Sequence, residues 1–162
     1  MMNHKYVVMG VSGCGKSSIG AALGKALGIP FFDGDDFHSQ ENVQKMQSGQ
    51  PLTDTDRQSW LTTLNQLLRE KDSLVVACSA LKPEYRDKLR EGKTDLHFIY
   101  LKGDFDTIWS RHQKREGHYF NGSSMLESQF NTLIEPDEQE ALYVDIRQSP
   151  QQIIDYILAH LA

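Results

Sequence analysis

A glycine-rich segment near the N-terminus constrains the fold of this chain most strongly. Residues 10–17 read GVSGCGKS, between the apolar run YVVM at residues 6–9 and a helical apolar pattern over residues 19–27. The segment matches G-x-x-x-x-G-K-[ST], whose glycines let successive backbone N–H groups point inward at the positive end of the following helix. The sequence therefore predicts a phosphate-binding loop joining a strand to a helix.

The side chains of this loop predict a nucleoside triphosphate as ligand. Lys16 supplies a point charge for the β and γ phosphates, and Ser17 supplies a hydroxyl for Mg²⁺. The Cys14 thiol is interpreted as a small residue that the loop tolerates, although the helix end could also favour a redox-sensitive thiolate. The predicted nucleotide-binding residues are Gly10, Val11, Ser12, Gly13, Cys14, Gly15, Lys16, Ser17 and Ser18.

The amino-acid composition predicts the general type of protein and the partners it can bind. The chain has 162 residues, 39% of them hydrophobic and 24% charged, which predicts one globular domain over residues 1–162. The net charge of -5 argues against nucleic-acid or membrane partners, so an anionic ligand needs a local basic cluster. The N-terminal residues lack a secretory leader and there are only two cysteines, so we expect a cytoplasmic protein.

Apolar runs and helical patterns alternate along the chain. Because the runs are continuous, they predict strands covered on both faces, and the alternation predicts an α/β fold with one parallel sheet flanked by helices. The runs lie at residues 6–9, 29–32, 74–78, 96–101 and 141–144. The clearest helices are predicted at residues 54–70, after a capping box of Thr53 and Asp56, at 83–92 and at 149–161.

A second group of candidate functional residues, which are carboxylates, follows the apolar run at residues 29–32. Asp33 and Asp35 flank Gly34, and in extended backbone they would face the same side about 7 Å apart. Two bare carboxylates at that distance repel by about 2 kcal/mol at an effective dielectric near 20, so a cation or a donor is expected between them. Mg²⁺ and a substrate hydroxyl would fill that position. Solvated acids in a turn are the alternative.

Basic residues predict the anion contacts. Arg57 shares a helical face with Trp60 and Leu61, so its planar fork suits a carboxylate, unless it forms a salt bridge to Asp54 or Asp56. Arg111 and Arg115 lie four residues apart, before a glycine- and serine-rich stretch, and predict a phosphate-covering lid at about residues 115–130. Arg115 would also spread charge in the transition state. A solvated basic face is the alternative for this pair.

Four ordered blocks identify the chain as similar to a known family. They are DGDDFHSQENVQKMQSGQPLTDTDRQSWL, CSALKPEYRDKLR, FIYLKGDFDTIWSR and SQFNTLIEP. Together with the loop they closely resemble the gluconate kinase (gluconokinase) family of small P-loop kinases. The resemblance implies a three-layer fold like that of adenylate and shikimate kinases, with a five-stranded parallel sheet. It also implies ATP and Mg²⁺, transfer of the γ-phosphoryl group to the 6-hydroxyl of D-gluconate, and a homodimer.

The resemblance assigns roles to individual residues. Asp33 matches the acid that approaches the metal through water, and Asp35 matches the acid that faces the sugar hydroxyl. Positions near the substrate are matched by His38, Lys45, Ser79, Lys82, Arg86, His118 and Gln129. Solvated helix charges are an equal alternative for Lys45 and Arg86. Between residues 118 and 129 the chain is one residue longer than the family pattern, so the roles of His118 and Gln129 depend on the lid register.

Other functions remain open from the sequence. A kinase for another hydroxy acid, such as shikimate, could use the same paired aspartates and arginine. A nucleotide-switched module of the GTPase kind is disfavoured, because the Asn-Lys-x-Asp guanine motif is absent. A nucleotide-binding protein without turnover would differ in leaving ATP intact when an acceptor is added.

Overall fold

The protein contains one five-stranded parallel sheet. The computed structural model describes residues 4–11, 13–50, 52–92, 95–113 and 123–161. The strands are β1 (Lys5–Met9), β2 (Phe31–Asp33), β3 (Leu74–Ala77), β4 (Leu96–Lys102) and β5 (Ala141–Asp145). They are ordered β2-β3-β1-β4-β5, and in the central strand Val7 lies opposite Val76 of β3 and Phe98 of β4.

Helices connect and cover these strands. They are α1 (Lys16–Leu27), α2 (Gln40–Gln47), α3 (Asp54–Glu70), α4 (Pro83–Arg90), α5 (Phe105–Gln113), α6 (Ser123–Thr132) and α7 (Pro150–His160), with a short 3₁₀ helix at Gly34–Phe37. Helix α1 packs against β1, β2, β3 and α7, while α3 packs against α4. The described residues contain no helix that is both long enough and apolar enough to cross a membrane.

The predicted fold class is confirmed. Each of the five apolar runs contains or overlaps a strand, and the two strands β1 and β3 are buried along their whole length, as Val7 and Val8 of β1 show with no exposed surface. Helix α3 begins at the predicted capping box, in which Thr53 Oγ1 accepts from the Asp56 backbone N–H and Asp56 accepts from that of Thr53. Its apolar stripe, including Trp60, is buried. Because all five strands run parallel, their carboxyl ends lie at the same edge of the sheet.

Arg86 is a buried clamp within this fold. Its side chain is 1% exposed and donates to Glu140 (3.0 Å), to the Ala80 carbonyl (2.8 Å) and to the Ile134 carbonyl (3.0 Å). Ala80 has a φ of +47°, so the backbone that Arg86 holds is itself in an uncommon conformation. The prediction that Arg86 contacts the substrate is therefore not supported by its packing. Its guanidinium is already used to join α4 to two distant loops.

We expect Arg86→Met to destabilise the fold by about 2 to 4 kcal/mol, because it removes the Arg86 hydrogen bonds to the buried Ala80 carbonyl and to the Ile134 carbonyl and leaves Glu140 with Arg90 as its remaining cation. Urea unfolding monitored by circular dichroism would measure the change. Arg147→Met is the matched control, since Arg147 forms an exposed ion pair with Asp145 and should change stability little. Equal stability of the two variants would contradict the clamp.

Candidate active site

The phosphate-binding loop occupies the turn between β1 and α1. Gly10, Gly13 and Gly15 have φ values of +149°, +84° and +93°, a region that other residues rarely adopt. A Cβ atom on Gly10 would lie 2.7 Å from Cys14 Sγ and 2.9 Å from the Leu101 carbonyl oxygen. The loop thus needs glycine for both conformation and space. Ser12, which was predicted in the same site, lies outside the described residues.

Lys16 opens α1 directly after this loop. Its side chain is buried, with 8% of the residue exposed, and it makes no ion pair with any described residue. The helix N-terminus carries no acidic residue in its first turn, so backbone N–H dipoles and the lysine ammonium add to one positive region. Ser17 is half-buried and Ser18 is exposed. This arrangement suits a phosphate chain.

Ser17 and Asp33 form the candidate magnesium site. Ser17 Oγ donates a 2.8 Å hydrogen bond to Asp33 Oδ2, and the Asp35 backbone N–H donates to Asp33 Oδ1 at 3.0 Å. The described residues contain no group of three or more His, Cys, Asp or Glu side chains able to hold a metal by themselves. One hydroxyl and one carboxylate oxygen nevertheless fit Mg²⁺, which binds few protein oxygens and takes the rest from phosphates and water.

The backbone beyond Asp33 differs from the sequence prediction. Asp33 is the N-cap of the 3₁₀ helix, so the strand ends there and Asp35 lies in a helical turn. The extended backbone through Gly34, on which the expected same-side geometry of the two carboxylates depended, does not form. The reason is local, because a carboxylate that accepts the N–H two residues ahead folds the chain into a turn.

Gly34 fixes this turn against the sheet. A Cβ atom there would lie 2.4 Å from the Ala77 carbonyl oxygen at the end of β3. The Gly34 carbonyl accepts a buried 2.7 Å hydrogen bond from Trp60 Nε1 of α3. The turn that carries both aspartates is therefore held on one side by a strand and on the other by a helix.

Asp35 has a perturbed acidity. Burial raises the pKa of its carboxyl group, the positive charge of Lys16 partly offsets this rise, and the negative charge of Asp33 adds to it. A carboxylate with a raised pKa is a better proton acceptor than an ordinary aspartate. Asp35 is therefore suited to take or orient the proton of an attacking hydroxyl group.

His38 is held as a neutral ring. Its side chain is 2% exposed and stacks on Trp60 with ring centroids 4.2 Å apart. Burial, together with the positive charge of Arg57, lowers the His38 pKa to about 4. The 3.7 Å approach of His38 Nε2 to Asp35 Oδ1 is thus a contact with a neutral imidazole near pH 7.

Arg57 lacks a direct acidic partner in the described part of the chain. Its Nη1 donates to the Tyr85 hydroxyl at 3.0 Å, and its guanidinium carbon lies 5.3 Å from the centre of the Tyr85 ring. The alternative of a salt bridge to Asp54 or Asp56 is not observed. Its charge remains available to an external anion.

The two acids at the start of α3 are paired with lysines. Lys45 Nζ lies 2.6 Å from Asp56 Oδ2, and Lys82 Nζ lies 3.2 Å from Asp54 Oδ1. Hydrogen bonds from Lys45 and from the Thr53 backbone lower the Asp56 pKa to about 2. Lys45 and Lys82 were predicted to contact substrate, but here each has a carboxylate partner, so their charges are largely compensated within the protein.

Charged residues from three separate elements influence the acidity of one buried thiol. Cys78 is buried and follows β3 directly, and burial raises the pKa of its thiol to about 12, with smaller effects from the Ala80 backbone and from the charges of Asp35, Lys16 and Arg57. Charges from the phosphate loop, the 3₁₀ turn and α3 therefore all act on the end of β3. Ser79 follows directly and is half-exposed, and its carbonyl accepts from the Gly10 backbone N–H at 3.4 Å.

The predicted lid is described only in part. Arg111 Nη2 donates to the Ile146 carbonyl at 2.7 Å, and Gln129 lies in α6 with 7% of its surface exposed. Arg115 and His118 lie outside the described residues, as does the whole of the proposed lid from residue 115 to residue 122. The phosphate and substrate roles of these four residues stay predictions.

Three residues of this region had no predicted role. Tyr85 and Trp60 are buried, and they orient Arg57 and His38 respectively. Asn42 donates to the Asp56 carbonyl at 2.9 Å and lies 3.4 Å from His38 Nδ1. Tyr85 and Trp60 were visible in sequence as apolar helix positions, but their polar atoms gave no signal there. Helical periodicity reports the buried face and not the hydrogen bonds within it.

We expect the stability of the protein to fall as the pH is lowered from about 6.5 towards 4. His38 has a pKa of about 4 when folded and 6.5 ordinarily, so in this window the unfolded chain binds more protons. Urea unfolding at pH 7, 5.5 and 4.5 would measure the slope. His38→Gln should flatten it, whereas His160→Gln, at the exposed end of α7, should leave it unchanged. An unchanged slope in His38→Gln would contradict the neutral buried ring.

Comparison with known proteins agrees with this geometry. The family model for shikimate kinase matches residues 12–162. The thermoresistant gluconokinase of Escherichia coli (strain K12) is 48% identical over 158 residues, covering 94% of this chain and 90% of the relative. The crystal structure of a gluconokinase from Sinorhizobium meliloti 1021 superposes with a TM-score of 0.90 at 44% identity, over 98% of this chain and 91% of that one.

The comparisons also separate two related groups. A shikimate kinase structure from Aquifex aeolicus covers 97% of this chain and 95% of its own, but at 18% identity and a TM-score of 0.59. That likeness shows the fold alone. The identity to gluconokinases is much higher and extends over nearly the whole chain, so it distinguishes the gluconokinases from the shikimate kinases as relatives of this protein. The protein therefore has the P-loop kinase fold that the shikimate kinase model describes, and within it the chain belongs to the gluconokinase family.

Proposed function

We propose that the protein transfers the γ-phosphoryl group of ATP to the 6-hydroxyl of D-gluconate, giving 6-phospho-D-gluconate and ADP. As a member of the gluconokinase family it is an ATP-dependent sugar-acid kinase. The observation that carries the choice of acceptor is Arg57, a half-buried cation that makes no ion pair with any described residue while both neighbouring acids have lysine partners. An acceptor with a carboxylate supplies the missing anion.

The phosphate loop would bind the nucleotide. Inward-facing N–H groups of the loop and the N-terminal end of α1 suit the phosphate oxygens, and Lys16 opposes their charge as it shifts during transfer. Arg111 and Arg115 are proposed to cover the same phosphates. Because phosphoryl transfer proceeds through a loose transition state, positioning and charge neutralisation are the main contributions of these residues.

Ser17 and Asp33 would hold Mg²⁺. Ser17 offers its hydroxyl oxygen directly, while Asp33, which now accepts from that hydroxyl at 2.8 Å, would approach through water. Magnesium, when bound, neutralises charge on the β and γ phosphates. Asp33 additionally keeps the 3₁₀ turn folded by accepting from the Asp35 N–H, so it links the metal side of the site to the acceptor side.

Asp35 would receive the acceptor. Its carboxylate accepts a hydrogen bond from the 6-hydroxyl group, and the hydroxyl oxygen attacks the γ-phosphorus as the bond to the β–γ bridging oxygen breaks. The hydroxyl proton passes to Asp35, whose raised pKa favours this role. His38 and Ser79 are proposed to contact the sugar-acid hydroxyl groups as neutral partners. His118 and Gln129 are proposed to complete the pocket from the lid.

Three broader properties follow from family membership and composition. We infer a homodimer, a cytoplasmic location, and no nucleic-acid or membrane partner, in line with the net charge of -5. Sedimentation analysis of the purified protein would test the dimer. The shikimate alternative is not favoured, given the difference in identity between the two groups of relatives.

We expect Asp35→Asn to lower kcat by about 10² or more, because a proton acceptor or orienting group typically contributes 10² to 10⁴. ATP affinity should change little, since the amide keeps the shape of the turn. Steady-state kinetics with ADP release, together with nucleotide titration, would measure both quantities. An equal loss in ATP binding would place Asp35 on the metal instead.

We expect Arg57→Lys to weaken kcat/KM for gluconate by about 1.5 to 3 kcal/mol, the scale of a charge-assisted hydrogen bond, because lysine keeps the charge but loses the fork. Glucose lacks the carboxylate and cyclises, so it should be a very poor acceptor for the wild-type enzyme. Coupled ADP release with both acceptors and both proteins would test this, after confirming similar melting temperatures. Equal proportional losses, or wild-type turnover of glucose comparable to gluconate, would reopen the choice of substrate.

A further inference from the structure

The Tyr85 hydroxyl group joins Arg57 to Asp54. It accepts a 3.0 Å hydrogen bond from Arg57 Nη1 and donates a hydrogen bond to Asp54 Oδ1. Tyr85 is 5% exposed, and it lies in α4, so it reaches across to two residues of α3. Both hydrogen-bonding functions of the hydroxyl are therefore used, and its orientation is determined by one cation and one anion.

The ring of Tyr85 also supports the guanidinium group. The Arg57 guanidinium carbon lies 5.3 Å from the ring centre, within the range of a cation–π contact. An unrestrained arginine loses rotamer freedom when it is immobilised on a ligand. Contacts that order the side chain beforehand reduce this loss at the moment of binding.

The position of the hydroxyl preserves the charge of Arg57. If Asp54 paired with Arg57 directly, the carboxylate would compete with any anionic ligand. Instead Asp54 is bonded to Tyr85 and to Lys82, whose Nζ lies 3.2 Å away. Burial raises the Tyr85 pKa, so the hydroxyl stays protonated and keeps donating to Asp54 near pH 7. Asp54 thus orients Arg57 through Tyr85 without neutralising it.

Only part of the guanidinium fork is used in this way. Arg57 has five N–H donors, and Tyr85 takes a bond from Nη1. The donors on Nε and Nη2 have no partner among the described residues, so two roughly parallel donors remain for a planar acceptor. A carboxylate is the acceptor that matches this geometry.

We propose that Tyr85 is a positioning residue that holds Arg57 ready for the carboxylate of the acceptor and thereby determines affinity for acidic substrates. The inference rests on the proposed function and deepens it, because it names a specificity residue that does not itself touch the substrate. Asp54 is the anchor of this arrangement, and Lys82 balances the charge of the anchor.

Tyr85→Phe tests the hydroxyl while it keeps the ring and its packing. We expect KM for gluconate to rise about three- to tenfold, the range for loss of one hydrogen bond, with kcat and KM for ATP within about twofold. Tyr143→Phe is the matched control, because its hydroxyl donates to the Pro136 carbonyl beside β5 and not to Arg57. It should leave all three constants unchanged. Steady-state kinetics on the full-length protein would measure them.

A double-mutant cycle separates positioning from a general structural role. In an Arg57→Lys background, Tyr85→Phe should change KM for gluconate by less than about twofold, since the two residues act as one unit. Independent multiplication of the two losses would overturn the inference, as would an unchanged KM in Tyr85→Phe alone. A fall in kcat and in melting temperature with KM unchanged would also overturn it, by showing a structural role.

The same measurements distinguish this inference from the proposed function. If the wild-type protein does not phosphorylate gluconate, the proposed function fails and the positioning role fails with it. If the wild type does so and Tyr85→Phe behaves like Tyr143→Phe, only the positioning role fails. A selective rise in KM for gluconate that disappears in the Arg57→Lys background supports both.

Discussion

The close approach of Gly34 to the end of β3 is the constraint on which the site depends. A Cβ atom there would lie 2.4 Å from the Ala77 carbonyl oxygen, so only glycine lets the turn lie against the sheet. The preceding residue, Asp33, holds the hydroxyl of the phosphate-loop serine, and the following residue is Asp35. Since Trp60 also bonds to the Gly34 carbonyl, any shift of this glycine would move Asp33, Asp35 and α3 together.

Charge pairing determines which groups remain available to ligands. The chain is acidic overall, with a net charge of -5, yet its site must hold two anionic reactants. Lys45 and Lys82 are paired with the acids at the start of α3, so they add little positive potential. Lys16 and Arg57 have no such partner among the described residues. The uncompensated positive charge is thereby concentrated at Lys16 and at Arg57, the residues proposed to bind the phosphates and the carboxylate.

Some predictions held because their physical cause is local. The five strands could be predicted from continuous apolar runs, and the start of α3 from the Thr53 and Asp56 pair, because both patterns act within a few residues. Arg86 could not be assigned in this way. A solvated helix charge and a buried clamp look the same in sequence, since its partners lie 6, 48 and 54 residues away.

The sequence by itself determined the phosphate loop, the parallel sheet and the set of candidate acids and bases. These depend on glycine spacing, apolar periodicity and side-chain chemistry, which are properties of short segments. Only the tertiary structure decided which charges are paired. Arg57 and Tyr85 are 28 residues apart and meet because α3 packs on α4. Hydrogen bonds of this kind form only when the distance between two elements is right to within a few tenths of an ångström. That distance follows from the packing of the whole core.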